Sequence, residues 1–434
     1  MSSARIVVVG TGYVGLTTGA CLASLGHRVT CVDVDEAKVA RLSAGRVDIL
    51  EPGLAELVGR GLAARRLSFV VGAREAVATA DAVFLCVPTP MGAGGSADLR
   101  AVEAVTDEIR DTVPSGCALV TKSTVPVGTA RRIRALLGRA DVPVVSNPEF
   151  LREGTAVADF LGPDRIVVGS DDEAAARRVA DLYEQLSAPV VVTDAASAEL
   201  VKYAANCFLA MKLSYVNAVA ELCERLGADI EAVTEGMGHD RRIGRSFLKP
   251  GPGWGGSCLP KDTAAMVRFA EAAGYDFTML TAAISENLAQ RERVLAKIAG
   301  AVGGNLSGAR VGVLGLAFKA GTDDLRDSPA LAVASALFAH GAEVTAYDPA
   351  VGGELPGMIV VDDPYQVAKG ADVVVLLTEW NEFRRLDWAY MAELMVGDTV
   401  VDTRNLLDPH TVLDAGLIWQ GIGRPHARIP VALR

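Results

Sequence analysis

The chain has 434 residues, half of them apolar and 22% charged, with a net charge of −11. That profile is of a globular protein of two or three domains, and the acidic balance argues against a nucleic-acid or anionic-membrane surface. No window approaches eighteen apolar residues, so no transmembrane helix is expected, and the start MSSARIVVVGTGYVG runs into a glycine pattern rather than a cleavage site.

Short β-branched runs come first: Arg5–Gly10 (RIVVVG), His27–Asp33, Ala80–Pro88, Cys117–Thr124 and Val142–Pro148. Helical patterns separate most of them, which is the βαβ rhythm of a parallel, doubly wound sheet. Ser197–Leu226 is a long helical pattern without Gly or Pro, apolar on most faces. Such a helix bridges domains or forms a subunit interface. Two further helices are expected over about 262–273 and about 280–302. A weaker copy of the opening pattern follows: Ala309–Lys319, Gly341–Pro349, Gly370–Trp380 and Gly397–Asn405 read as strands of a second α/β domain.

Gly10-Thr-Gly12-Tyr13-Val14-Gly15 directly follows a strand and opens a helix. In that context the first glycine makes the turn, the second admits a pyrophosphate and the third lets helix pack on strand. The helix N-terminus adds partial positive charge. Asp33 ends the next strand, where an acid binds the adenosine ribose diol and repels a 2′-phosphate; NAD is therefore expected rather than NADP. The later turn, Gly312 to Phe318, lacks the full fingerprint and carries Lys319 and Arg326, which suit phosphates or a solvated surface equally.

The seven cysteines are scattered, with no zinc-ligand spacing and no sign of a disulfide framework, which predicts a cytoplasmic protein with reduced thiols and no metal site. Six lie in apolar sequence and are expected in the core. Cys258 instead sits in GPGWGGSCLPKD, between glycines and the pair Lys261-Asp262. A thiolate there suits aldehyde oxidation: it adds to the carbonyl, and the resulting thiohemiacetal is oxidised to a thioester that water hydrolyses. Lys202 and Asn206 lie four apart, on one helical face. A lysine in so apolar a helix snorkels, pairs or works. Glu149 follows a strand end, where doubly wound sheets place their sites.

These stretches together (GTGYVG, NPEFLREGT, KYAANCFLAMKLSYVN, GPGWGGSCLPKD and GLAFKAGTDDLRDSP) resemble the UDP-glucose/GDP-mannose dehydrogenases, in order and across essentially the whole chain. The resemblance implies an α/β protein with two Rossmann-like, doubly wound parallel-sheet domains joined by a central helical dimerisation domain. Residues 1–195 would bind NAD, 196–303 would dimerise and 304–434 would bind the nucleotide sugar. It implies oxidation of a sugar C6 alcohol to the acid with two NAD⁺. Cys258 would be the nucleophile, and Lys202, helped by Asn206, would stabilise the oxyanion. Asp262 and Thr124 would position water, and Glu149 would act as acid/base. Gly10, Gly12, Tyr13, Val14, Gly15, Asp33, Lys38, Thr89, Thr124, Glu153 and Arg326 would hold NAD. Phe150, Leu151, Lys202, Asn206, Lys249, Gly255, Lys319 and Arg404 would hold the substrate, with Arg242 reaching it across a homodimer interface.

KYAAN, DRRIG and DTRN resemble the UDP-glucose branch, while Leu259 after the cysteine resembles the GDP-mannose type. UDP-glucose is the expected substrate, with GDP-mannose and TDP-glucose as alternatives. A catalytically silent dinucleotide-binding scaffold is the rival from another class.

Overall fold

The computed structural model describes residues 3–92 and 97–425. The end of the third expected domain, from 426 on, therefore lies outside the described residues. The chain divides into two compact units, Met1–Ala205 with Ala264–Ala273, and Asn206–Thr263 with Gly274–Arg434.

In the first unit the strands are Arg5–Val9 (β1), Arg28–Asp33 (β2), Leu67–Val71 (β3), Ala82–Leu85 (β4), Ala118–Thr121 (β5), Val144–Ser146 (β6), Ile166–Gly169 (β7) and Val190–Thr193 (β8). They form one sheet in the order β3-β2-β1-β4-β5-β6-β7-β8. Its pairings are parallel except that of β6 with β7. Strand β1 shows why the apolar run folds this way. Ile6 and Val8 enter one core and Val7 and Val9 another, so both faces are buried and alternation disappears from the sequence. The order reverses between β1 and β4, which opens a crevice at the carboxyl ends of those strands.

The second unit has Arg310–Leu314 (β9), Glu343–Tyr347 (β10), Ile359–Val360 (β11), Val373–Leu376 (β12), Thr399–Asp402 (β13) and Ile418–Gly421 (β14), in the order β11-β10-β9-β12-β13-β14. Every pairing is parallel. Val311 and Val313 face one core and Leu314 the other, repeating the logic of β1.

The helices that matter below are Tyr13–Ser24 (α1), Thr129–Leu137 (α2), Ala195–Leu226 (α3), Leu259–Ala272 (α4), Thr278–Ala301 (α5) and Pro329–Ala339 (α6). The long apolar pattern is α3, begun two residues earlier than the sequence implies. Helix α4 begins three residues earlier, because Pro260 falls in its first turn, where a missing N–H costs nothing. Strands β3, β7, β8, β11 and β14 were not expected. Strands β3 and β8 lie at sheet edges with partly exposed faces, and β11 has two residues. Among the described residues no helix is long and apolar enough to cross a membrane.

Candidate active site

The turn after β1 carries three glycines with three different constraints. Gly10 has φ +96°, and a Cβ there would meet the Cys86 carbonyl oxygen at 2.7 Å. A Cβ on Gly15 would lie 1.9 Å from the Gly10 carbonyl oxygen, so strand and helix could not close up. Around Gly12 there is open space, and it caps α1 with no side chain on the helix end and no acid in the first turn. Exposed backbone at an uncapped helix N-terminus fits a pyrophosphate.

Asp33, ending β2, accepts from the Thr11 N–H at 3.0 Å and its hydroxyl at 2.5 Å, and pairs with Lys38 at 3.3 Å. Burial opposes its ionisation, but the Thr11 and Asp35 donors and the Lys38 charge outweigh burial and hold the carboxyl at about 2. A permanently ionised acceptor at this strand end fits a ribose diol. Tyr13 turns its hydroxyl to Glu51 and accepts from the Gly154 N–H at 2.9 Å; Glu51 also takes that N–H at 2.7 Å. Glu153 faces the same phenol and helps to raise its pKa, after burial and Glu51. The glycine turn is thereby tied to the loop after β6.

That loop carries Glu149, Phe150 and Leu151. Glu149 accepts from the Leu151 N–H at 2.7 Å and pairs with Lys202 at 3.0 Å. The two side chains are 6% and 4% exposed. Burial would raise the Glu149 pKa; Lys202, the Leu151 N–H and Lys122 together bring it below the ordinary value. The Phe150 ring takes the Arg165 guanidinium at 3.6 Å and the Lys202 ammonium at 5.5 Å. Lys202 is fixed from the helix side as well. Three residues earlier on α3, Glu199 accepts the Gly128 N–H at 2.6 Å and the Ala130 N–H at 2.8 Å, capping α2. The Thr89 hydroxyl donates to the Thr124 carbonyl at 2.8 Å, joining two residues named for the same function.

The second unit builds a different surface around the glycine loop. Buried amides hold it: Asn217 accepts the Gly251 N–H, Gln290 donates to the Gly251 carbonyl, and Asn287 exchanges bonds with both backbone groups of Trp254. A Cβ on Gly255 would sit 1.9 Å from the Asp327 carbonyl oxygen, and one on Gly251 would meet Arg404 at 3.2 Å. Arg404 donates to the carbonyls of Leu377 and Phe318 and pairs with Glu379 at 3.1 Å; Lys319 sits over the Phe318 ring. The loop, Lys319 and Arg404 are thus brought together. Lys249 lies exposed before the loop. Arg242 is 88% exposed and bound to Asp240, and Arg326 forks onto Asp324.

Cys258 immediately precedes α4, its carbonyl accepting the first helical bond, from the Asp262 N–H. Helix N-termini favour a thiolate. Cys258 is half-buried while the other six cysteines are buried, as their apolar contexts predict. Burial pushes the thiols of Cys21, Cys86, Cys117 and Cys207 up to about 12, so they stay protonated. Asp262, 1% exposed, accepts from the Asn206 amide at 2.6 Å and pairs with Lys261 at 2.5 Å.

The degenerate second fingerprint has a structural reason. Asp348, at the end of β10, accepts the Leu316 and Ala317 N–H groups, the Ala350 N–H and the Trp380 indole. Its carboxylate is consumed by the protein and not offered to a ribose. Sequence reasoning missed Glu51, Arg165, Lys122 and the three amides. Polar residues read as solvated in the sequence; burial marks Glu51, Lys122 and the amides, and the stacking on Phe150 marks Arg165.

Three family models match the chain in succession. Residues 4–187 match the NAD-binding domain of the UDP-glucose/GDP-mannose dehydrogenase family, 196–289 its central domain and 312–409 its UDP-binding domain. A UDP-glucose 6-dehydrogenase of Rhizobium meliloti is 45% identical over 436 residues, covering 97% of this chain and all of that protein. One from Pseudomonas aeruginosa is 43% identical, covering 98% of each. The solved structure of a UDP-glucose dehydrogenase from Pyrobaculum islandicum superposes with a TM-score of 0.88 at 41% identity, again covering 98% of each chain. The chain belongs to the UDP-glucose/GDP-mannose dehydrogenase family.

Proposed function

We propose that the chain oxidises the C6 alcohol of UDP-glucose to the acid, giving UDP-glucuronate. The observation that carries this reading is the unbroken similarity, over nearly the full length of both chains, to proteins named for that activity. NAD⁺ held by Gly10 to Gly15 and Asp33 supplies the hydride acceptor for each of two two-electron steps. The residues do the rest. Thr124 and Asp262 position the water that takes the C6 hydroxyl proton as the aldehyde forms. The Cys258 thiolate adds to that aldehyde, and Lys202 with Asn206 stabilises the resulting oxyanion. Loss of the second hydride leaves a thioester on Cys258. Water activated through Asp262 and Glu149 then releases the carboxylate and restores the thiolate.

Lys38, Thr89, Glu153 and Arg326 complete the cofactor contacts. Phe150, Leu151, Lys249, Gly255, Lys319 and Arg404 hold the sugar nucleotide. In this reading 1–195, 196–303 and 304–434 serve as cofactor, helical and nucleotide-sugar domains. The protein works as a homodimer, with Arg242 of one protomer reaching the sugar of the other. Support for a second copy comes from α3, where Leu200, Phe208, Tyr215, Leu222 and Leu226 form an exposed stripe at helical spacing, Phe208 being 61% exposed. The cytoplasmic assignment is supported by seven free cysteines.

The test is product identification with UDP-glucose, TDP-glucose and GDP-mannose in parallel. UDP-glucuronate as the fast product supports the reading; faster acid formation from GDP-mannose or TDP-glucose replaces the substrate.

A further inference from the structure

Glu51 is 7% exposed, yet none of the roles above uses it. Donors from three different pieces of chain reach its carboxylate. The Tyr13 hydroxyl comes from the first residue of α1. The Gly154 N–H, at 2.7 Å, comes from the loop after β6. The Val157 N–H, at 3.3 Å, comes from the helix Ala156–Leu161 that follows this loop. These bonds offset the cost of burying a carboxylate. The backbone of Glu51 is fixed as well: its carbonyl accepts the Leu54 N–H at 3.2 Å, and Leu54 is fully buried.

The Tyr13 hydroxyl meets the same loop directly. It accepts the Gly154 N–H at 2.9 Å and lies 3.4 Å from the Arg152 carbonyl oxygen. Burial and then Glu51 push the phenol pKa up, so the hydroxyl stays a donor at physiological pH. The phenol is thus committed to the loop, while the backbone of Tyr13 belongs to the turn that receives the pyrophosphate. The loop runs without regular structure from β6 to the helix Ala156–Leu161, so such ties set its position. Gly154 takes φ +80°, a left-handed conformation that favours glycine, which bends the chain where Glu51 grips it. Leu151 lies three residues back, and its N–H is held by Glu149 at 2.7 Å.

We propose that Glu51 is a positioning residue for the oxidation: together with the Tyr13 phenol it holds the loop that carries Glu149, Phe150 and Leu151 in register with the turn that carries the cofactor. This rests on the reading above, in which that loop holds the sugar. A tyrosine of the dinucleotide fingerprint therefore acts through its side chain on the substrate, not on the cofactor. Hydride transfer needs the two reactants at a set separation, and a misplacement of about 1 Å costs up to about a hundredfold in rate.

The experiment compares wild type, Tyr13→Phe, Glu51→Gln and the double variant by kcat, KM for UDP-glucose and for NAD⁺, and melting temperature. Tyr13→Phe keeps the ring and the backbone turn and loses only the hydroxyl. Its kcat/KM for UDP-glucose falls about ten- to a hundredfold while KM for NAD⁺ stays within about twofold of wild type. Glu51→Gln loses at least as much, because an amide cannot accept from all three donors. The double variant is no worse than Glu51→Gln, since both changes break one connection. Tyr13→Phe with wild-type kcat/KM for UDP-glucose, or with a rise confined to KM for NAD⁺, overturns the proposal. Additive losses in the double variant overturn it too, as does a Glu51→Gln effect seen only in melting temperature. Should Glu51→Gln not fold, Tyr13→Phe decides by the same results. A wild type that forms no acid from UDP-glucose would instead remove the underlying reading, and this proposal with it.

Discussion

The Glu149–Lys202 pair permits a calculation. At 3.0 Å, and with an effective dielectric of about 20, the gross attraction is about 5 kcal/mol. Lys202→Met removes the cation and leaves a carboxylate that is 6% exposed, bonded to one backbone N–H and influenced by Lys122. Orphaning one member of a buried pair costs about 3–5 kcal/mol, and the remaining Lys122 places the expected loss near the lower figure.

The pH dependence fixes the mechanism. In the wild type the folded Glu149 pKa lies below the unfolded value, because Lys202 and the backbone donor outweigh burial. Its contribution is present above the unfolded value and is lost as pH falls through the folded one. In Lys202→Met burial dominates and the sign reverses. Folding then takes up a proton, and the loss shrinks as pH falls. Urea midpoints of variant and wild type, read at pH 8 and pH 5 by far-ultraviolet circular dichroism, give the comparison. The gap is large at pH 8 and smaller at pH 5. An equal gap at both values, or none at either, would refute the argument.

Three further outcomes are expected. Asp33→Ala raises KM for NAD⁺ about ten- to a hundredfold, the effect of losing hydrogen bonds to a charged group, and leaves KM for UDP-glucose near wild type; steady-state kinetics in both substrates checks this, and an equal rise in both would make Asp33 structural. Gly255→Ala drives a methyl to 1.9 Å from the Asp327 carbonyl oxygen; overpacking of about 1–3 kcal/mol should lower the melting temperature and weaken UDP-glucose binding, and unchanged values in both would mean the loop yields freely. Phe208→Glu puts a charge into the exposed stripe of α3 and should halve the mass seen by light scattering; a mass unaltered by the substitution speaks against that stripe as the dimer face.

Much of this architecture is legible because parallel strands and glycine turns leave strong marks. RIVVVG can only be a strand buried on both faces, and the spacing of Gly10, Gly12 and Gly15 encodes three separate steric demands. The long helix shows itself by its length and the absence of breakers. What the sequence hides is pairing. Lys202 alone reads as a snorkelling lysine and Glu149 alone as a solvated loop acid; only the fold brings them within 3.0 Å. The amides Asn217, Asn287 and Gln290 look like surface residues of helices, yet they are buried and hold the glycine loop. Edge strands such as β8 escape because a half-exposed VVVT resembles many loops. Glu51 escapes because its partners, Tyr13 and Gly154, lie 38 and 103 residues away.

The central claim is a four-electron oxidation through a covalent bond to Cys258, and counting NADH formed per UDP-glucose consumed, in the wild type and in Cys258→Ser, tests it most directly. The account predicts two NADH per sugar for the wild type, and at least about a thousandfold loss of acid formation in the variant, because an unactivated hydroxyl is a poor nucleophile. One NADH per sugar, or acid formed by Cys258→Ser at the wild-type rate, would contradict it.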